Sequence, residues 1–192
     1  MTDSICRIKS SDYASADAEL RAQFDSVRSD RGQLDNLYRA FSLRGHMMKP
    51  ADDLYRAVLH HDRNTISKRD SELFGCYVAI LTQCDYATAH HSHNFRHLRE
   101  DNEHADQILD ALSKDRLGDC GDAKTIAALR FVGTLTRTPG NIQDADIEVL
   151  RTNDWTDGEI LEIVQIVAMF SYFVRVINAL GISQSGESTG LY

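Results

Sequence analysis

Glu72, the thiols of Cys76 and Cys84, and the imidazoles of His90, His91 and His93 fall within one window of this chain, from Ser71 to Phe95. Imidazole can act as an acid or base, thiol as a nucleophile or redox group, and carboxylate as an orienting partner or proton carrier. If a helix begins near Cys84, His91 follows seven residues later, and about 100° per residue returns it to within about 20° of the same face. Cys84 and His91 are therefore expected to share a site. Ala87 falls between them, one turn from each, whereas His90 and His93 project away from Cys84. A thiol in the first turn of a helix meets the positive end of the helix dipole, and a nearby imidazolium adds to the effect, so Cys84 is expected to favour thiolate. Glu72 stands among Leu73, Phe74, Val78 and Ile80. Buried there it needs a hydrogen-bond partner or a proton, and beside a histidine it forms a proton relay.

The neighbours are assigned lesser parts. Cys76, one turn after Glu72 in an apolar run, reads as a packing residue. Tyr86 and His90 are pocket candidates. Cys84, His90, His91, His93 and His97 are concentrated enough to raise the question of zinc, and His93 with His97 is an i, i+4 pair. There is no His-Glu-x-x-His arrangement and no second ligand cluster, so neither a metal nor a bound cofactor is expected.

These residues must be positioned by helices, because apolar residues recur at three- and four-residue spacing along most of the chain. Leu20, Phe24 and Val27, then Leu34, Leu37 and Phe41, then Leu54, Val58 and Leu59 are examples. The pattern predicts helices over 14–29, 32–46, 50–62, 67–82, 84–99, 102–113, 122–137, 144–152 and 157–181. No segment alternates cleanly enough for a strand. Pro50 and Pro139 fall between periodic segments, and Ser67 with Asp70 and Thr156 with Glu159 have capping-box spacing at helix starts. The expected fold is all-α, a single domain over 1–192. It has an N-terminal arm over 1–13 and a Ser/Gly-rich tail over 183–192 that is flexible or clasps a partner.

A formal charge of −8 leaves no basic field for phosphates, so nucleic acid is not an expected partner. No signal-peptide stretch opens the sequence, and a cytoplasmic location is expected. The greasiest run, Ile160 to Ile182, is interrupted by Glu162, Gln165 and Arg175, which predicts a buried or interface helix and not a membrane span. Four scattered cysteines give no disulfide framework.

The window resembles the signature of the carboxymuconolactone decarboxylase and alkylhydroperoxidase (AhpD-like) family, in its peroxidase-related branch. That signature has a Glu, then twelve residues later Cys-x-x-Cys, then a His four residues after the second Cys. Here it reads Glu72, Cys84-Asp85-Tyr86-Ala87 and His91, and Asp157 to Gly181 is similar to the family's long closing helix. The resemblance implies an all-α fold that assembles as a homo-oligomer, trimer or hexamer. It also implies thiol-dependent hydroperoxide reduction through a Glu/Cys/His relay, regenerated by an external dithiol reductant. In that scheme the second cysteine attacks and the first resolves it as a disulfide. Ala87 occupies the attacking position, so the scheme is impaired or trapped in this chain. A second expectation is a non-redox acid/base enzyme, decarboxylase- or lyase-like, with Glu72 and His91 acting on a small organic acid or biosynthetic intermediate. A third is a catalytically silent helical assembly module.

Overall fold

The computed structural model describes residues 4–29, 31–99 and 101–191; residues 1–3 of the expected arm and residue 192 of the expected tail lie outside them. Among the described residues the regular structure is helical and no strand occurs. The α-helices are α1 (Ala18–Asp25), α2 (Asn36–Arg39), α3 (Met48–Leu59), α4 (Lys68–Leu81), α5 (Asp85–Arg99), α6 (Asn102–Ser113), α7 (Ala123–Arg137), α8 (Asp144–Thr152) and α9 (Asp157–Leu180).

Local chemistry explains where the boundaries fall. The Asp17 carboxylate accepts the Leu20 N–H at 2.8 Å, so α1 starts at 18 and not at 14. The helix expected over 32–46 is broken into the four-residue α2 and a 3-10 run, Ser42–Met47, containing the non-helical Arg44 (φ −146°, ψ 58°). The break falls at Arg44, and the next residue, Gly45, approaches α1 so closely that a Cβ there would overlap the Gln23 amide. Pro50 lies inside the first turn of α3, where its missing N–H has no intrahelical role. Ser67 Oγ accepts the Asp70 N–H at 3.1 Å at the start of α4, and Thr156 with Glu159 forms a reciprocal capping box at the start of α9.

The fold is centred on α4, whose residues Ser71 through Ala79 are all buried. It packs against α5, α7 and α9, which is why its sequence is apolar on every side. By length and composition α9 could cross a membrane, yet nine of its residues, Ile160 to Ile177 at helical spacing, enter this core. Glu162 on α9 accepts the backbone N–H of Thr65 at 3.0 Å and of Ile66 at 2.8 Å, fixing the segment that leads into α4. Farther along α9, the Phe170 ring occupies the space a Cβ would need at Gly75 of α4.

The turn from α4 to α5 sets the register of the site. Gln83 adopts φ 54°, its N–H bonds Ile80 O at 3.1 Å, and the Cys84 N–H bonds Ala79 O at 2.9 Å. This is a Schellman ending with Gln83 in the left-handed position usually held by glycine. Cys84 then opens α5, its carbonyl accepting the Thr88 N–H at 2.9 Å.

The tail folds back on its own chain. Asn36 Nδ2 donates to the carbonyls of Ser183 and Ser185 at 2.8 and 3.0 Å, and the Leu191 N–H reaches Asn94 on α5 at 2.8 Å.

Candidate active site

Glu72 on α4 and His91 on α5 meet as a hydrogen-bonded pair, His91 Nδ1 to Glu72 Oε2 at 2.6 Å. Glu72 is 2% exposed, so both carboxylate oxygens need partners. The other oxygen, Oε1, accepts from Asn94 Nδ2 at 3.1 Å. With the carboxylate accepting, Nδ1 of His91 carries the proton and Nε2 is the nitrogen left for a ligand. The imidazole is held edge-on by Phe170, with ring centroids 4.5 Å apart at 67°. His60, at the end of α3, is close enough to feel the charge of Glu72. Its Nε2 has no partner among the described residues, and burial lowers its pKa.

His91 lines a cavity of about 90 Å³ between α2, α3, α5, α9 and the tail. Tyr55, Met169, Phe170 and Phe173 supply its apolar surface, and Ala87 adds a methyl group next to His91. Its polar surface has two groupings. Asp52 accepts from Tyr38 at 2.9 Å and from Arg56 at 2.7 Å. Burial, and then the negative charge of Asp52, push the Tyr38 hydroxyl far above the ordinary phenol range. At the other grouping His90 stacks on Tyr86 at 4.6 Å, accepts the Gly190 N–H on Nδ1 at 3.1 Å, and meets Glu187 through Nε2 at 3.2 Å. Asp35 faces the same space, its carboxyl raised by burial first and by the charge of Glu187 second.

Of the residues singled out from sequence, Glu72 and His91 come together, and Ala87, Tyr86 and His90 lie on the cavity wall. Cys84 does not. It is fully enclosed at 0% exposure and is absent from the cavity lining. The expected thiolate preference is also reversed, because burial pushes the Cys84 thiol above its ordinary range. An opposing hydrogen bond from the Ala87 N–H is weaker than burial, and Asp85 adds to the rise. Position in the first turn was the correct observation, but the tight α4–α5 turn puts that sulfur in a dry environment. Cys76 is buried packing on α4, its thiol pushed up by burial and then by Glu72. Asn94 escaped the sequence reading although it lies three residues after His91, on the same helical face. Phe170, His60 and the tail residues carried no local signal tying them to the site. Among the described residues no group of three His, Cys, Asp or Glu side chains converges as a metal site.

No protein-family model and no curated protein matches this sequence. Solved structures do match. A peroxidase-related protein from Ralstonia eutropha JMP134, described as an alkylhydroperoxidase AhpD core, superposes with a TM-score of 0.81 at 20% identity, covering 95% of this chain and 93% of that one. The fold is the AhpD-like fold. A second peroxidase-related protein, from Silicibacter sp. TM1040, gives 0.79 at 21% identity over 95% and 92% of the two chains. The debrominase Bmp8, as a cysteine-to-alanine variant in complex with 2,3,4-tribromopyrrole, gives 0.70 at 15% identity over 97% and 94%. The AhpD-like fold thus spans nearly all of the chain, and within it the Glu72–His91 pair sits where α4, α5 and α9 meet.

Proposed function

We propose that this chain is an enzyme performing general acid/base chemistry on a small, largely apolar organic acid or biosynthetic intermediate. Nε2 of His91 moves the proton and Glu72 orients the ring. The observation that carries this reading is the 2.6 Å Glu72–His91 contact on the wall of a cavity whose described lining holds Ala87 and no cysteine. A base so placed contributes about 10²–10⁴-fold to a proton transfer. Rings of Tyr55, Phe170 and Phe173 favour a flat substrate, and the debrominase of the same fold is solved with a flat ligand, 2,3,4-tribromopyrrole.

A second reading is thiol-dependent hydroperoxide reduction, impaired in this chain because Ala87 holds the attacking position, in the cavity wall one turn before His91. A sulfur at 87 would stand beside the base. It would break the peroxide O–O bond to give alcohol and a sulfenic acid, which Cys84 would condense to a disulfide with loss of water, and an external dithiol would reduce that disulfide.

One set of variants separates the readings. Small aromatic and enolisable carboxylic acids are incubated in deuterated water and followed by NMR for proton exchange or loss of carbon dioxide. Turnover is expected in the wild type and in Cys84→Ser, and should fall by about 10²-fold or more in His91→Ala and Glu72→Gln. Turnover that dies with Cys84→Ser and survives His91→Ala contradicts the acid/base reading. Dithiol-dependent hydroperoxide consumption appearing in Ala87→Cys supports the second. Insensitivity of every assay to all of these changes leaves the helical assembly module.

A further inference from the structure

Asn94 lies on α5 one turn beyond His91 and is 1% exposed. Its Nδ2 donates to Glu72 Oε1 at 3.1 Å, and its Oδ1 accepts the backbone N–H of Leu191 at 2.8 Å. These two partners dictate which way the amide points, since the carboxylate accepts and a backbone N–H only donates. A flipped amide would set its carbonyl against the carboxylate and its NH₂ against the N–H. Glu72 is thereby committed through Oε1 and offers only Oε2 to His91.

The tail is shaped for this docking. Gly190 has φ +80°, and a Cβ there would overlap the His93 ring and come within 2.8 Å of Asn94 Oδ1. Its N–H is given to His90 Nδ1 at 3.1 Å, so consecutive backbone donors engage consecutive positions of the site helix face. Upstream the tail is fastened by Asn36, whose own N–H is accepted by Glu187 at 2.6 Å. Gly190 and Leu191 also complete the cavity wall.

We infer that this C-terminal strap is a positioning element of the acid/base site, acting from the Leu191 N–H through Asn94 to Glu72, and so holding His91 with Nδ1 protonated and Nε2 free. The inference rests on the Glu72–His91 reading above and extends it to residues that touch no reacting atom.

The test reads the His91 tautomer directly, by nitrogen-15 NMR of the imidazole nitrogens in the full chain near neutral pH. The wild type is expected to show a single Nδ1–H form. Leu191→Pro removes the N–H that Asn94 accepts, Gly190→Ala forces the strap off His93 and Asn94, both without replacing a buried side chain, and Asn94→Ala removes the link itself. Each is expected to move His91 to a mixture in which both nitrogens share the proton, with the helical circular dichroism unchanged in the two strap variants. If Glu72→Gln shifts the tautomer while both strap variants leave it as in the wild type, the strap inference is overturned and the pair stands. If Glu72→Gln also leaves it unchanged, the Glu72–His91 reading falls, and this inference with it.

Discussion

His90 and His91 are adjacent in sequence yet present opposite nitrogens to their surroundings. His91 gives Nδ1 to Glu72, whereas His90 accepts on Nδ1 from Gly190 and turns Nε2 to Glu187. Of these two, His91 is the one left with a nitrogen for a ligand, and it faces the cavity, which is why the proposed chemistry is assigned to it. Asp35 carries a prediction of its own. Its carboxyl is raised above the ordinary range by burial and then by Glu187. A carboxyl with a higher pKa in the folded state contributes stability that is full below its unfolded pKa and is lost as pH rises through the folded value. Asp35→Asn is therefore expected to raise Tm near neutral pH, with the gain vanishing near about pH 4, where the unfolded group also begins to hold its proton. Thermal melts at the two pH values check this, and a gain that grows as pH falls contradicts it. Helical spacing placed His91 on one face with Cys84, while the tie between Glu72 and His91, which lie on different helices, came from the family resemblance; Asn94, three residues after His91, was within reach of the spacing argument. The state of Cys84 was not legible, because dipole position can be counted along a chain while the dryness of a turn depends on what packs over it.

Among the elements, α4 carries the strictest packing requirement. Gly75 gives up its Cβ space to Phe170, and Phe170 in turn holds the edge of His91. Gly75→Ala forces that ring to move, and overpacking of this kind costs roughly 1–3 kcal/mol. Chemical denaturation should show a loss in that range, and a variant as stable as the wild type would contradict the packing account. The helices from α4 to α9 were readable to within a few residues because long apolar periodicity and side-chain caps agree there. The segment over 32–46 has apolar spacing of the same kind and is nonetheless broken. The break comes at Arg44, beside the close approach of Gly45 to Gln23 of α1, a contact that apolar spacing does not report. Periodicity records which residues are buried, and a bent chain can bury the same residues.

At the scale of the whole molecule, α4, α5 and α9 bring the pair together, and the tail closes the site from the far end of the sequence. The all-α architecture was legible in the pattern of apolar residues, and the AhpD-like resemblance agrees with the solved structures that superpose on the chain. The docking of residues 183–191 was not legible, since a Ser/Gly-rich stretch specifies no partner until the surface receiving it exists. In the proposed chemistry the reactive atom of the cavity is on His91, whereas Cys84 is enclosed away from the lining and burial raises its thiol pKa. The most direct measurement treats the native protein near neutral pH with diethyl pyrocarbonate and, in parallel, with iodoacetamide, and maps the modified residues by mass spectrometry. Carbethoxylated His91 and unmodified Cys84 are expected; rapid alkylation of Cys84 with His91 untouched would contradict the assignment of the chemistry to His91.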